Sequence, residues 1–250
     1  RLSAGMTGQQ DGIGDYVHLA RYNITSNPSY LYNMGNGNYV YPVTPQAYDP
    51  TIRWETTVTY NIGIDYGFFN DRLSGSIDAY IRDTKDLLNS VQVPMGSNFG
   101  NKLTTNVGSL RNKGLEFSIS AIPVQKPGLS VQVGFNGTFQ NTVFTKLNPT
   151  EDKGYYIEVG NISKGTGGYL SRQMTGYSPY TYYLYQQKYD STGHPIQNEF
   201  VDRDGDGSIT ENDRYMTGKN PSPKFFYGLN LKVTYMNWDF GLNGHGAAGT

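Results

Sequence analysis

Residues 202–213 read Asp-Arg-Asp-Gly-Asp-Gly-Ser-Ile-Thr-Glu-Asn-Asp. Carboxylates at the first, third and fifth positions are spaced to put three side-chain oxygens around one hard cation. Asp202, Asp204 and Asp206 are those residues. Gly207 takes the sixth position, where the chain must turn sharply, and Ser208 at the seventh offers its backbone carbonyl. Ile209 at the eighth anchors the loop in apolar packing. Asp213 stands at the twelfth position, where such loops usually carry Glu, so its reach to the ion is shorter. The chemistry expected is structural Ca2+ binding. Neighbouring carboxylates repel one another until a divalent ion compensates them, and binding then orders the loop. Asn198-Glu199-Phe200 precede the run, and Gly218, Pro221 and Pro223 follow it, so paired flanking helices are not expected.

A second candidate is the tyrosine-rich stretch Tyr177, Tyr180, Tyr182, Tyr183 and Tyr185, whose rings could stack on sugars or peptide side chains. Strand packing or an interfacial girdle is the plainer role for any single one. Other chemistry is poorly supported. His18, His194 and His245 fall in unrelated contexts, with no spaced pair and no Glu-x-x-His. The run Gly165-Thr166-Gly167-Gly168 lacks the lysine and the strand–helix setting of a phosphate loop. Asp65, Asp78 and Glu116 could be imagined as a carboxylate pair for glycoside hydrolysis, but they fall on polar strand faces. No enzyme activity is expected.

The elements that would position these residues are strands. From Thr57 to Phe68 the even positions are Val58, Tyr60, Ile62, Ile64, Tyr66 and Phe68, against Thr, Asn, Gly and Asp at the odd ones. Leu73, Gly75, Ile77, Ala79 and Ile81 repeat the pattern after a turn at Asn70-Asp71. So do Leu115 to Ala121, Leu129 to Phe139, Phe225 to Tyr235 and Trp238 to Leu242. The connections at 70–71, 123–128 and 236–237 are tight. Those near 83–112, 147–180 and 190–222 are long and rich in Gly, Asn, Ser and Tyr. Short turns alternating with long loops describe an up-and-down antiparallel sheet with every long loop at one end, as in outer-membrane barrels.

Composition agrees. Charged residues make up 16% of the 250, against roughly 25% in ordinary soluble domains. Gly (31) and Tyr (22) are abundant, and Cys is absent. A net charge of -1 disfavours nucleic acid as a partner. No run of about 18 apolar residues predicts a spanning helix. The chain begins at Arg1 without Met and stops at Thr250 within a strand-like pattern, the expectation for a segment of something larger. A soluble Ca2+-stabilised β-sandwich that binds carbohydrate would also alternate. Its outer face should carry many Lys and Glu, whereas here the polar faces carry Gly, Ser, Thr and Asn. Seven or eight strands are expected, fewer than a large barrel needs.

Several runs resemble SusC/RagA-type TonB-dependent transporters. Trp54-Glu55-Thr56-Thr57 followed by Tyr60-Asn61-Ile62-Gly63-Ile64-Asp65 is similar to that family's WETT…NIGLDF stretch. Arg72 to Asp78, Thr84 to Leu88, Thr104 to Gly108 and Asn112 to Phe117 continue it in order. Asp202 to Arg214 and then Gly218 to Lys224 resemble its DxNGDGxI…DR…G…NPxPK run, and Gly5 to Gln10 its GxTGNQ, with Gln9 for Asn. The resemblance implies that residues 1–250 are the C-terminal portion of a barrel of about 22 strands with a plugged lumen; the plug and TonB box are not among these residues. It also implies outer-membrane lipid around the wall, a SusD-like lipoprotein lid, energy from a TonB–ExbB–ExbD complex, and import of an oligosaccharide or peptide. The calcium loop would then be extracellular.

Overall fold

The computed structural model describes residues 1–24, 27–94, 96–98, 100, 102–148, 154–162 and 168–249; the glycine run at 165–167 lies outside them. Seven strands form one sheet: β1 (Leu2–Gln9), β2 (Glu55–Phe68), β3 (Leu73–Gln92), β4 (Lys102–Lys126), β5 (Leu129–Lys146), β6 (Phe225–Tyr235) and β7 (Trp238–Ala248). They lie side by side in chain order, each antiparallel to the next, and the sheet is not closed on itself. The transmembrane β-barrel topology expected from alternation is therefore present as an open meander.

Register carries the alternation across the strands. Leu2, Ile62, Ala79, Leu115, Phe139, Phe225 and Ala248 form one outward row. Phe68, Leu73, Ala121, Val133, Leu231 and Leu242 form another nearer the tight turns. No second layer covers these rows among the described residues: Ile64 is 66% exposed, Leu229 51% and Phe240 59%. The opposite face carries Asp65, Ser76, Ser118, Asn136, Gly228 and His245 in one row. Glycines on the outward face leave room for rings. Tyr66 lies over Gly75 and donates to the Ser118 carbonyl at 3.1 Å, and Phe117 and Phe225 converge over Gly137.

Three expectations need correction. The stretch 83–112 is mostly strand, with only 93–101 connecting β3 to β4. Its outward residues become charged above Ile81, so the apolar signal ends while the backbone ladder continues to Gln92 opposite Lys102. A bulge at Asp86 interrupts that ladder; its φ is +60°, and Arg53 pairs with its carboxylate at 2.7 Å. The turn expected over 123–128 is narrower, because β4 runs to Lys126 past an irregularity between Ala121 and Val124. The loops expected at 147–180 and 190–222 belong to one excursion between β5 and β6. The stretch 181–189 does not return to the main sheet; it builds small sheets with other excursion segments. Strand β1, not recognised from sequence, pairs with β2 from Leu2 opposite Ile62 to Gln9 opposite Glu55.

Candidate functional site

The excursion holds both sequence-derived candidates. Strands Tyr156–Asn161, Tyr169–Met174, Thr181–Tyr185 and Arg214–Met216 form a four-stranded sheet, and Gln187–Tyr189 pairs with Pro195–Phe200. The excursion returns to β5 at its base, where the Gln140 N–H donates to the Lys224 carbonyl at 2.8 Å. Higher on β5, the Phe144 N–H donates to Tyr177 O and the Gly176 N–H to Phe144 O.

Within the acidic loop the turn geometry follows the sequence. Asp202 accepts the Gly205 N–H at 2.6 Å on one carboxylate oxygen and the Gly207 N–H at 2.8 Å on the other. Asp204 accepts from the Asp206 N–H, and Asp206 from the Ser208 N–H at 2.7 Å. Gly205 and Gly207 adopt φ of +78° and +83°, where a side chain would be strained. One carboxylate oxygen from each of Asp202, Asp204 and Asp206 lies within 4.8 Å of the others. That spacing fits an ion held by oxygens about 2.3–2.6 Å away, and the all-oxygen donor set suits a hard cation.

Asp213 stands apart from this cluster. It is fully buried and clamps the backbone: Oδ1 accepts the Arg203 N–H at 2.6 Å and Oδ2 the Thr210 N–H at 2.7 Å. Thr210 caps the short 3-10 turn Glu211–Asp213, and the reciprocal Asp213–Thr210 bond completes a capping box. The Thr210 and Arg203 N–H groups hold the Asp213 carboxyl below its ordinary 3.8. The residue expected as the twelfth ligand is engaged here as a loop clamp through both oxygens, outside the group formed by Asp202, Asp204 and Asp206. The sequence signal was available: Thr210-Glu211-Asn212-Asp213 has capping-box spacing.

The tyrosines divide. The Arg172 guanidinium lies 3.7 Å from the Tyr156 ring centroid and 3.6 Å from that of Tyr183, and it also pairs with Glu158 at 3.2 Å. Arg214 approaches Tyr183 at 4.6 Å and donates to the Tyr183 and Tyr169 carbonyls. Tyr185 packs on Phe200 at 5.4 Å. Tyr183 and Tyr185 are therefore engaged inside the excursion. Tyr182 is half-buried, its N–H donating to Lys219 O and its carbonyl accepting from Thr217. Tyr177 is half-buried against β5, and Tyr180 is the exposed member at 47%.

On the polar face of the sheet, Asp78 lies directly opposite Glu116. Arg1 reaches Asp65 at 2.9 Å and Asp78 at 3.0 Å. A concavity of about 520 Å³ opens on the other, apolar face between β1, β2 and β3, and one of about 500 Å³ lies on the polar face beside Asp78, Glu116 and His245. The polar wall offers hydrogen-bonding groups without a nucleophile–base pair among the described residues.

The family model described as "TonB dependent receptor-like, beta-barrel" matches residues 17–248. The chain is 41% identical over 244 residues to "TonB-dependent receptor SusC" of Bacteroides thetaiotaomicron, covering 97% of this chain and 24% of SusC. It is 35% identical to "TonB-dependent receptor P39" of Formosa agariphila, over 68% of this chain and 16% of that protein. Among solved structures, the "RagAB peptide transporter" superposes with a TM-score of 0.72 at 21% identity, covering 98% of this chain and 26% of that one. The chain spans about a quarter of the length of SusC.

Proposed function

We propose, because this chain belongs to the TonB-dependent receptor β-barrel family, that it is part of the wall of an outer-membrane nutrient importer. The cargo is an oligosaccharide or peptide too large for a diffusion pore. A SusD-like surface lipoprotein closes the outer mouth, and a TonB–ExbB–ExbD complex supplies energy through parts of the protein outside this segment. The wall acts by shape and hydration and performs no covalent chemistry.

One observation carries this reading: a continuous apolar face with no protein over it among the described residues, backed by a face of Gly, Ser, Asn and Asp. Hydrocarbon is the solvent that suits the first face and water the second. Exposed Phe68, Phe69, Tyr235 and Trp238 border the apolar band at the tight turns, and Trp54 and Tyr60 stand toward its other end. A soluble sandwich would need a second sheet over Ile64 and Phe240. The likeness to the RagAB peptide transporter supports cargo of peptide size, and Tyr180 is the exposed one of the five candidate tyrosines.

The test uses cells that need the full-length protein to grow on one such polymer. Deleting its gene should abolish growth on the polymer and spare growth on the constituent monomers. Unchanged growth on the polymer overturns the proposal.

The acidic loop is assigned a structural Ca2+ held by Asp202, Asp204 and Asp206, with the Ser208 carbonyl as a further donor. The ion would offset three neighbouring charges and stiffen the loop above the barrel mouth. Chelator should raise proteolysis between 195 and 220, and Asp204→Ala with Asp206→Ala should reproduce that effect without chelator. Identical cleavage with and without chelator would count against the ion.

A further inference from the structure

Charge on the outward face of the sheet is clustered. Between the Lys126–Leu129 row at the tight turns and the Asp83–Arg111 row, outward positions among the described residues carry charge at Lys113, Asp83 and Arg111. Lys85 follows one row beyond. Arg111 holds Asp83 through two bonds, Nε at 2.6 Å and Nη2 at 3.0 Å, so that pair is neutral. Lys85 and Lys113 stand on either side within electrostatic reach of the pair, both exposed. Neither forms an ion pair among the described residues. The patch therefore carries two uncompensated positive charges, at the end of the sheet where the long connections emerge.

Immediately below it is the apolar groove between β1, β2 and β3. Ala4 and Ala79 form a low floor between Tyr60, Ile62 and Ile81, and the groove encloses about 520 Å³. That volume is in the range of clefts that hold small ligands, roughly 300–1,000 Å³. Ile81 lies opposite both Tyr60 and Lys113, so the groove ends beside Lys113, with Lys85 two rows further along. An apolar slot ending in excess positive charge matches an amphiphile with a long hydrocarbon tail and an anionic head.

We propose that this surface is a specific site for a phosphorylated lipid of the outer leaflet. The phosphate sits between Lys85 and Lys113, and one acyl chain lies along the Ala4–Ala79 groove. The proposal rests on the reading of the sheet as a membrane wall with its long connections outside. It goes further in assigning an individual lipid to an individual groove. Arg111 is occupied by Asp83, which leaves the two lysines as the donors. Lys presents a point charge that suits a phosphate approached from several directions.

The experiment uses the full-length protein purified in neutral detergent. Lipid A with its phosphates, and lipid A stripped of them, are titrated in, and bound adducts are counted by native mass spectrometry. Wild type should retain the phosphorylated form preferentially. Lys85→Gln with Lys113→Gln should weaken that retention about thirtyfold, from roughly one lysine's worth of membrane-surface attraction each. Ala79→Trp, which fills the groove, should weaken both forms alike, and Lys85→Arg with Lys113→Arg should restore phosphate preference. Equal retention of the two lipids by wild type, or by wild type and the glutamine variant, overturns the site. Should the glutamine variant not fold, the salt response of wild type decides: adducts lost as salt rises support the lysines, and salt-insensitive adducts refute them. Failure of the underlying membrane reading would show separately, as a full-length protein that stays soluble without detergent.

Discussion

In the meander, large apolar side chains such as Ile64, Leu229 and Phe240 are more than half exposed, whereas in the excursion between β5 and β6 the fully buried side chains are the polar Thr181 and Asp213. The two regions are stabilised against different surroundings. The meander satisfies its backbone groups through long antiparallel ladders and leaves its apolar surface to be covered by lipid. The excursion is held by cation–π contacts, a capping box and a polar clamp. The difference teaches that a face without a protein core can be the designed state when the solvent changes along the chain. It also means that substitutions of the same chemical type should have opposite consequences in the two regions.

The sharpest break of this comparison is a charge placed mid-band. Ile77→Arg should cost about 2–4 kcal/mol of folding in a bilayer, and Ser76→Arg on the polar face far less. Urea titration of the full-length protein refolded into vesicles measures both, and equal costs would erase the distinction between faces. Next is crowding inside the ladder. Gly75→Val would press on the Ser118 carbonyl and displace Tyr66, for a cost of about 1–3 kcal/mol in the same assay. A smaller and local effect is expected from Arg172→Ala, which removes ring contacts worth about 0.5–2 kcal/mol each. Hydrogen exchange should accelerate across 154–185 and remain unchanged in β2 and β3.

The mildest prediction concerns acid. Asp213 is held below its ordinary 3.8 by backbone N–H donors, so its ionised form stabilises the folded loop. That contribution is fully present above the ordinary carboxylate range and fades as pH falls through the lowered value. Cleavage of 195–220 by an acid-active protease should rise below about pH 4. Asp213→Asn should loosen the loop at neutral pH and flatten the response to acid.

Much of the meander was legible because period-two alternation and lipid exposure are the same fact seen twice. Val58 to Phe68 and Phe225 to Tyr235 could be assigned a face before any register was known. Legibility failed where a strand leaves the apolar band. Beyond Ile81 and Leu115 the strict alternation breaks down, with charged residues on the outward face and Leu87 and Leu88 adjacent, and hydrogen bonds between distant segments keep β3 and β4 extended. It failed at β1 because Leu2, Ala4 and Met6 are too short an alternation beside glycines to stand out. In the excursion the acidic spacing identified Asp202, Asp204 and Asp206. The packing of Tyr183 depends on Arg172 and Arg214, which periodicity cannot bring together.

The bond from Gln140 to Lys224 extends the β5–β6 ladder to the point where the excursion departs from it. The excursion's two stems leave neighbouring strands already joined, so exchanging everything between them leaves the pairing of β5 with β6 intact. Sequence in this segment can then diversify at little risk to the pairing of the strands that carry it.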